Sequence, residues 1–274
     1  MKTARRRQRG CFETLEPRYL LNGNYFWLAE SPIPVGTSPQ SVTLADVNGD
    51  EILDLITAHD AVSQVNVRIG NGDGTFQDPV SYGVGGQAYG LAVHDLNGDG
   101  SLDILVSLRF EDRLALLWGN GDGSFSLGDP ITTGDYPTAI AVADLNGDGR
   151  PDVVTADYNG GTLSVLLAAA EGGFHTAVPY TSGDAPFSVV PADMNGDGAL
   201  DLLAVNAYSK TLAVLLGEGD GTFGNATTVA IGVFPYDLAV GDINGDGALD
   251  VVVSNTGDDN VKVFINDGTG QLLS

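Results

Sequence analysis

One nine-residue stretch, Asp144-Leu145-Asn146-Gly147-Asp148-Gly149-Arg150-Pro151-Asp152, constrains this chain more than any other. Oxygen-bearing side chains stand at positions 1, 3, 5 and 9, and glycines at 4 and 6 let the backbone curl, which is what a hard cation such as calcium asks of a short loop. The pattern begins at Asp46, Asp95, Asp144, Asp193 and Asp242, each start 49 residues after the last. A fixed period of this length means stacked copies of one supersecondary unit that cannot bury its apolar face alone. The repeat, more than the length of 274 residues, sets the architecture.

The rest of each repeat reads as strands. Before the loops run segments such as Ala139-Ile140-Ala141-Val142-Ala143, where large and small residues alternate with the period of two that marks a strand. After them come nearly continuous apolar runs, Leu53 to Ala58, Leu102 to Leu108 and Leu249 to Val253, which suit strands covered on both faces. A third strand places Val65, Val67 and Ile69, or Leu212, Val214 and Leu216, on one face and ends in a Gly-rich hairpin turn such as Gly70-Asn71-Gly72-Asp73-Gly74-Thr75-Phe76. A fourth, more polar strand (Pro79 to Val84, Thr176 to Thr181, Ala226 to Ile231) leads to a loop carrying Pro39, Pro137, Pro186 or Pro235, and suits an outer edge. Four antiparallel strands per repeat and no helical periodicity predict an all-β fold, a β-propeller of four-stranded blades.

Each loop offers a cation oxygen atoms only. The first supplies Asp46, Asn48, Asp50 and Asp54 with the carbonyl of Ile52; the second Asp95, Asn97, Asp99 and Asp103 with that of Ser101. The third supplies Asp144, Asn146, Asp148 and Asp152 with the carbonyl of Arg150; the fourth Asp193, Asn195, Asp197 and Asp201 with that of Ala199; the fifth Asp242, Asn244, Asp246 and Asp250 with that of Ala248. Such a donor set disfavours zinc and copper, and calcium suits it better than magnesium, which keeps its waters. An EF-hand would need an acidic residue at position 12, where the chain has Thr57, Val106, Thr155, Ala204 and Val253.

Charge supports this reading. The net charge is −24, yet residues 1–18 hold six basic and two acidic residues, so the remainder carries about −28 and would repel nucleic acid and anionic membranes. The three aspartates of each of the five loops make up fifteen of the 36 acidic residues, a density that bound cations would neutralise. The single cysteine, Cys11, excludes an internal disulfide, and no apolar stretch is long enough to span a bilayer.

Residues 1–24 differ in composition from the rest of the chain, and the repeat domain is expected over 25–274. The basic run lacks the apolar core of a secretory signal. Leu15, Glu16, Pro17, Arg18, Leu20 and Leu21 resemble the LEPR-XLL motif of planctomycete-type surface proteins, which implies a sorting or surface-attachment role. Over residues 25–272 the repeats resemble FG-GAP/VCBS repeats, the blades of integrin-α-like propellers, whose calcium loop lies between the first and second strands as it does here. The resemblance implies a secreted or cell-surface location, calcium as the bound ion, and a ligand-binding or adhesion role. The phase of the repeat leaves the last copy short of a fourth strand while residues 28–35 supply that phase at the start, so five blades are expected to close by pairing 28–35 with the strand around Val261 to Ile265.

For an enzyme the sequence offers little. His59, His94 and His175 fall at three different phases, each reading as a surface or strand-end residue, and no nucleophile triad or phosphate loop is present. The face opposite the calcium loops instead collects Tyr89, Phe110, Tyr136, Tyr158, Phe187, Tyr208, Phe234 and Tyr236, with Arg109 nearby. Exposed aromatics stack on sugars or anchor protein partners, so an extracellular protein or glycan ligand is expected there. The alternatives are a non-catalytic propeller portion of a carbohydrate-active enzyme and a structural spacer.

Overall fold

The alternating segments become strands where the period of two requires it. The computed structural model describes residues 32–270 and 272–273. The first sheet runs β1 (Pro39–Ala45), β2 (Asp54–His59), β3 (Gln64–Arg68) and β4 (Val80–Gly83). The second comprises β5 (Ala88–His94), β6 (Asp103–Leu108) and β7 (Arg113–Gly119), with β8 (Phe125–Leu127) and β9 (Ile131–Thr132) sharing the fourth place. The third holds β10 (Pro137–Ala143), β11 (Asp152–Asp157), β12 (Thr162–Leu166) and β13 (Val178–Thr181); the fourth β14 (Pro186–Ala192), β15 (Asp201–Asn206), β16 (Thr211–Leu215) and β17 (Thr227–Ala230). The fifth ends the chain with β18 (Pro235–Gly241), β19 (Asp250–Asn255), β20 (Asn260–Asn266) and β21 (Leu272–Leu273). Neighbours pair antiparallel throughout, and no helix occurs among the described residues.

The continuous apolar runs are the second strands, and in the first four sheets all six of their residues are buried. Alternate residues face opposite neighbours: Ile104, Val106 and Leu108 pack with Ile56, Ala58, Val65 and Val67 of the first sheet, whereas Leu105, Leu114 and Leu116 pack with Val153 and Leu166 of the third. Further layers join the third sheet to the fourth and the fourth to the fifth. The first strands line up beside one another in order, β1 by β5, β5 by β10, β10 by β14 and β14 by β18. Stacked sheets thus bury what no single repeat could.

Each of the first four sheets interrupts the pairing before its fourth strand: Phe76, Phe125, Phe174 and Phe223 pair with the end of the third strand, and pairing resumes at Val80, Ile131, Val178 and Thr227. In the second sheet the first paired piece is longer, Phe125–Leu127, and pairing resumes at Ile131. A Cβ at Gly128 would lie 2.7 Å from Trp118 Nε1, and Pro130 has no N–H to give the ladder.

At the end of the series, β21 pairs only with Ile265 and Asn266. Val261 and Val263 of β20 are exposed, whereas Leu212 and Val214 at the same phase of the fourth sheet are buried. Val42 and Leu44 of β1 are exposed as well. Of the expected partner segment 28–35, residues 28–31 lie outside the described residues and 32–35 form no strand; the boundary between residues 24 and 25 and the LEPR-XLL-like motif also lie outside the described residues. Val35–Ser274 is one compact unit.

Candidate metal loops and aromatic face

Each acidic loop connects the first strand of its sheet to the second, and one hydrogen-bond scheme serves all five. In the first, Asp46 Oδ1 accepts the N–H groups of Gly49 (2.7 Å) and Asp50 (3.2 Å), and Oδ2 accepts that of Glu51 (2.7 Å). Asn48 Oδ1 accepts the N–H of Asp50, and Asp50 Oδ1 that of Ile52. The asparagine amide donates to the position-5 carboxylate in every loop. Positions 1, 3 and 5 are thereby held by backbone that the glycines allow to turn: Gly98 and Gly100 have φ of 75° and 87°. At position 6 of the first loop Glu51 adopts the same left-handed conformation, φ 65°, at a cost glycine does not carry.

Position 9 does something else as well. Asp54, Asp103, Asp152, Asp201 and Asp250 are fully buried. In the first loop Oδ2 accepts the N–H of Val47 at 2.9 Å and Oδ1 that of Gly70 at 2.8 Å, and the other four repeat both bonds. The sequence marks these aspartates as candidate ligands; the structure shows them tying the loop to the end of the third strand. Glycine at that strand end follows in three repeats, since a Cβ on Gly70, Gly119 or Gly217 would meet a backbone oxygen at 2.4, 2.3 or 2.2 Å.

The loops are crowded with negative charge. Burial raises the carboxyls of Asp103, Asp152 and Asp201 above the ordinary aspartate range, and the two neighbouring carboxylates of each loop push them further up. Asp250 is lowered instead, chiefly by the Asn266 N–H. Among the described residues no three Asp, Glu, His or Cys side chains by themselves form a metal-binding group, so a cation here needs the asparagine and carbonyl oxygens too. The all-oxygen donor set and the crowding both fit calcium.

The hairpin turns after the third strands close on themselves. Asp73 Oδ1 accepts both the N–H and the hydroxyl of Thr75, and Asp122 and Asp220 do the same for Ser124 and Thr222. They are turns, as their glycines and aromatics indicate.

At the opposite ends of the strands the aromatic residues meet. Phe110 lies against Tyr136 (centroids 5.1 Å apart), Tyr136 against Tyr158 (5.7 Å), and Tyr158 against both Phe187 (6.1 Å) and Tyr208 (5.5 Å). Phe187 then contacts Tyr236 (4.5 Å) and Tyr89 (6.2 Å). The Arg109 guanidinium lies 4.4 Å from the centre of the Tyr89 ring and 3.2 Å from Asp60 Oδ2. Burial, followed by the Tyr236 hydroxyl, raises the Tyr89 phenol; burial and Tyr208 push Tyr158 up to about 12, so both stay neutral. Phe110, Tyr208, Phe234 and Tyr236 remain more than half exposed. Phe234 makes no ring contact with the others and rests beside Gly257. A larger cleft, about 680 Å³, lies elsewhere, between outer strands at Trp118, Ile131, Phe174 and His175.

Two features escape a reading by composition. The residue before the first strand is left-handed at Ser38, Tyr136, Ala185 and Phe234, which turns it out of the sheet. The last residue of the second strand is a buried polar anchor in four repeats: His59, Asp157, Asn206 and Asn255. His59, a strand-end residue as expected, is not on the surface; its ring bonds Thr57 Oγ1 (2.8 Å) and the Thr37 carbonyl (3.0 Å). Asp157 accepts hydroxyls from Ser164 (2.6 Å), Thr155 (2.7 Å) and Thr162 (3.1 Å). Aligning the sequence at its period would have exposed both positions. His94 is exposed, with Nδ1 3.1 Å from the Asp95 carbonyl, and His175 is exposed too.

Four-stranded antiparallel sheets stacked side by side, with an acidic loop between the first two strands of each, define an all-β, propeller-like protein. The FG-GAP-like repeat pattern matches residues 46–106, 95–155, 144–204 and 193–253, each window running from one acidic loop into the second strand of the next sheet; the chain belongs to the FG-GAP-like repeat family. No curated protein matches it. Among solved structures it is similar to an Agrocybe aegerita lectin described as recognising non-reducing terminal N-acetylglucosamine (23% identity, TM-score 0.59, covering 87% of this chain and 65% of the lectin). It is similar also to a Bacteroides uniformis protein named as a 6-phosphogluconolactonase (14%, TM-score 0.66, 84% and 68%) and to the V. cholerae biofilm matrix protein Bap1 (21%, TM-score 0.51, 85% and 38%). At these identities the likeness is one of fold. The chain spans about two thirds or less of two of these three proteins, 65% of the lectin and 38% of the biofilm protein.

Proposed function

We propose that this chain is a calcium-stabilised propeller, secreted or displayed at a cell surface, that holds a protein or glycan ligand on its aromatic face. The observation that carries the reading is the continuous run of ring contacts from Phe110 to Tyr236, three of whose members, Phe110, Tyr208 and Tyr236, stay exposed although the fold has an interior available for them. Calcium would be held by Asp46, Asn48, Asp50 and the Ile52 carbonyl in the first loop, joined by the strut residue Asp54, and by the corresponding residues of the other four. There it would neutralise carboxylates that the fold crowds together. Closure of the blades into a ring belongs to the same reading; Val42, Leu44, Val261 and Val263 are the exposed apolar residues it would cover. The lectin and biofilm matrix relatives support a binding or adhesion role, and no described helix is long and apolar enough to cross a membrane.

The reading gives the chain no catalytic role. Its test is binding of the calcium-loaded protein to panels of glycans and extracellular proteins, in parallel with Phe110→Ala and Tyr236→Ala. A ligand whose affinity falls about tenfold in either variant supports the aromatic face. Turnover of an acidic glycan would place the chain with carbohydrate-active enzymes, and a folded protein with no ligand on either panel would make it a spacer.

A further inference from the structure

The third repeat breaks the pattern of the others at one end, and the break opens a cleft. Where the second and fourth repeats carry Glu111-Asp112 and Ser209-Lys210 in the turn between second and third strands, the third has Gly160-Gly161. Where the chain enters the first strand with Tyr136 or Phe234, the entry to the fourth sheet has Ala185, held in the same left-handed conformation at φ 58° against 62° for Tyr136. These three small residues and Asn159 line a cleft of about 280 Å³ beside Tyr158 and Tyr208, whose rings meet edge to face with centroids 5.5 Å apart at 65°. Asp184 lines it as well and is exposed; Lys210, on the same turn as Tyr208, does not line it.

The molecule shows what such a combination binds. One blade away, the Arg109 guanidinium lies over Tyr89, within 5.6 Å of the Phe110 and Tyr136 ring centres, and against the Asp60 carboxylate. Tyr158 stands at the repeat position of Arg109, so the third repeat keeps rings and a carboxylate but supplies no cation of its own. A cation over aromatic faces is held by their quadrupole, more firmly when partly desolvated and beside a carboxylate. The cleft is at the small end of ligand pockets and admits an unbranched stem. A chain with a net charge of −24 draws basic partners towards it.

We propose that the cleft bounded on one side by the Tyr158–Tyr208 ring pair and lined by Asp184 takes a basic side chain, an arginine guanidinium or a lysine ammonium, presented by a protein partner lying across the aromatic face. This rests on the role proposed for the aromatic face and gives that face its specificity.

The experiment is a two-dimensional NMR titration of the calcium-loaded protein with an acetylated, amidated pentapeptide carrying a central arginine between glycines, and with its citrulline twin, which has the same shape without the charge. Shifts confined to the amides around Asn159, Ala185 and Tyr208 are expected with the arginine peptide, with about tenfold weaker binding of the citrulline peptide. Added salt should weaken the arginine peptide alone. Ala185→Tyr, which places in the cleft a ring that Tyr136 shows to be compatible with the backbone, should abolish the shifts with the fold intact by circular dichroism; Asp184→Asn, which changes no volume, should weaken them several-fold. Equal binding of the two peptides, no shifts with either, or unaltered binding in Ala185→Tyr would each overturn the inference. If instead a neutral chito-oligosaccharide binds wild type and is lost in Tyr236→Ala, the cationic partner is wrong and the aromatic face stands.

Discussion

The backbone N–H of Gly70 donates to Asp54 Oδ1 at 2.8 Å, across sixteen residues, while the other oxygen of the same buried carboxylate accepts the N–H of Val47. One side chain therefore fixes the start of the acidic loop and the end of the third strand together. The pair recurs as Gly119 with Asp103, Ala168 with Asp152, Gly217 with Asp201 and Asn266 with Asp250. The ninth residue of the loop is as much a strut of the blade as a candidate ligand.

Asp250→Asn should therefore destabilise the protein even in excess chelator, because the Asn266 N–H holds the Asp250 carboxyl below its ordinary range and so favours its ionised form in the fold. An amide leaves one of the two backbone N–H donors facing an NH2 group, and hydrogen bonds to charged groups in buried surroundings are worth about 1.5–3 kcal/mol each. Denaturant unfolding in chelator at pH 7.5 checks it: a lower unfolding midpoint is expected, and a variant indistinguishable from wild type without calcium would show that Asp250 acts through the ion alone.

Glu51 is the residue at which the first loop departs from the others. Its φ of 65° lies where Gly100, Gly149, Gly198 and Gly247 sit at 82° to 93°. Relieving about 1 kcal/mol of strain should make Glu51→Gly bind calcium roughly three- to tenfold more tightly at this loop. Calorimetric titration of wild type and variant decides it; equal or weaker binding in the variant would mean that the Glu51 carboxylate itself serves the ion.

Asp157 predicts a pH dependence. Burial is the largest influence on it and raises its carboxyl to about 6 in spite of three hydroxyl donors. A carboxyl raised in the folded state favours folding when protonated, so its cost is absent below the unfolded value of 3.8 and complete above about 6. Asn206 and Asn255 fill the same position in later repeats, so an amide fits. Asp157→Asn should raise the melting temperature at pH 7.5 and change it little at pH 4, with a gain of about 2 kcal/mol at the higher pH. A uniform shift at both pH values would contradict the account.

Much of this fold is legible in the sequence because the repeat gives five independent readings of each position. The six buried residues of β2, β6, β11 and β15 appear as apolar runs, and the fourth strands fall within the segments expected at Val80, Val178 and Thr227. The split of β8 from β9 is not legible, because it is a one-residue change of register, repeated in the first, third and fourth sheets, that no residue type marks. Nor is the cleft at Ala185, where the signal is an absence of side chains that matters only once the Tyr158–Tyr208 ring pair stands beside it. In the loops the residue types announce the chemistry, while the double duty of the position-9 carboxylates emerges only when the third strand is in place.

The most direct test of the account is calcium binding itself. Extracellular calcium modules commonly bind with affinities around 10⁻⁴ to 10⁻³ M, so about 1 mM calcium should add roughly 0.4–1.4 kcal/mol per loop and several kcal/mol over five. Thermal unfolding of the whole chain, with calcium and with excess chelator, alongside direct calorimetric stoichiometry, measures both terms. The account expects several ions per chain, up to five, and a melting temperature that falls by several degrees or more on chelation. No bound calcium and an unchanged melt would contradict it.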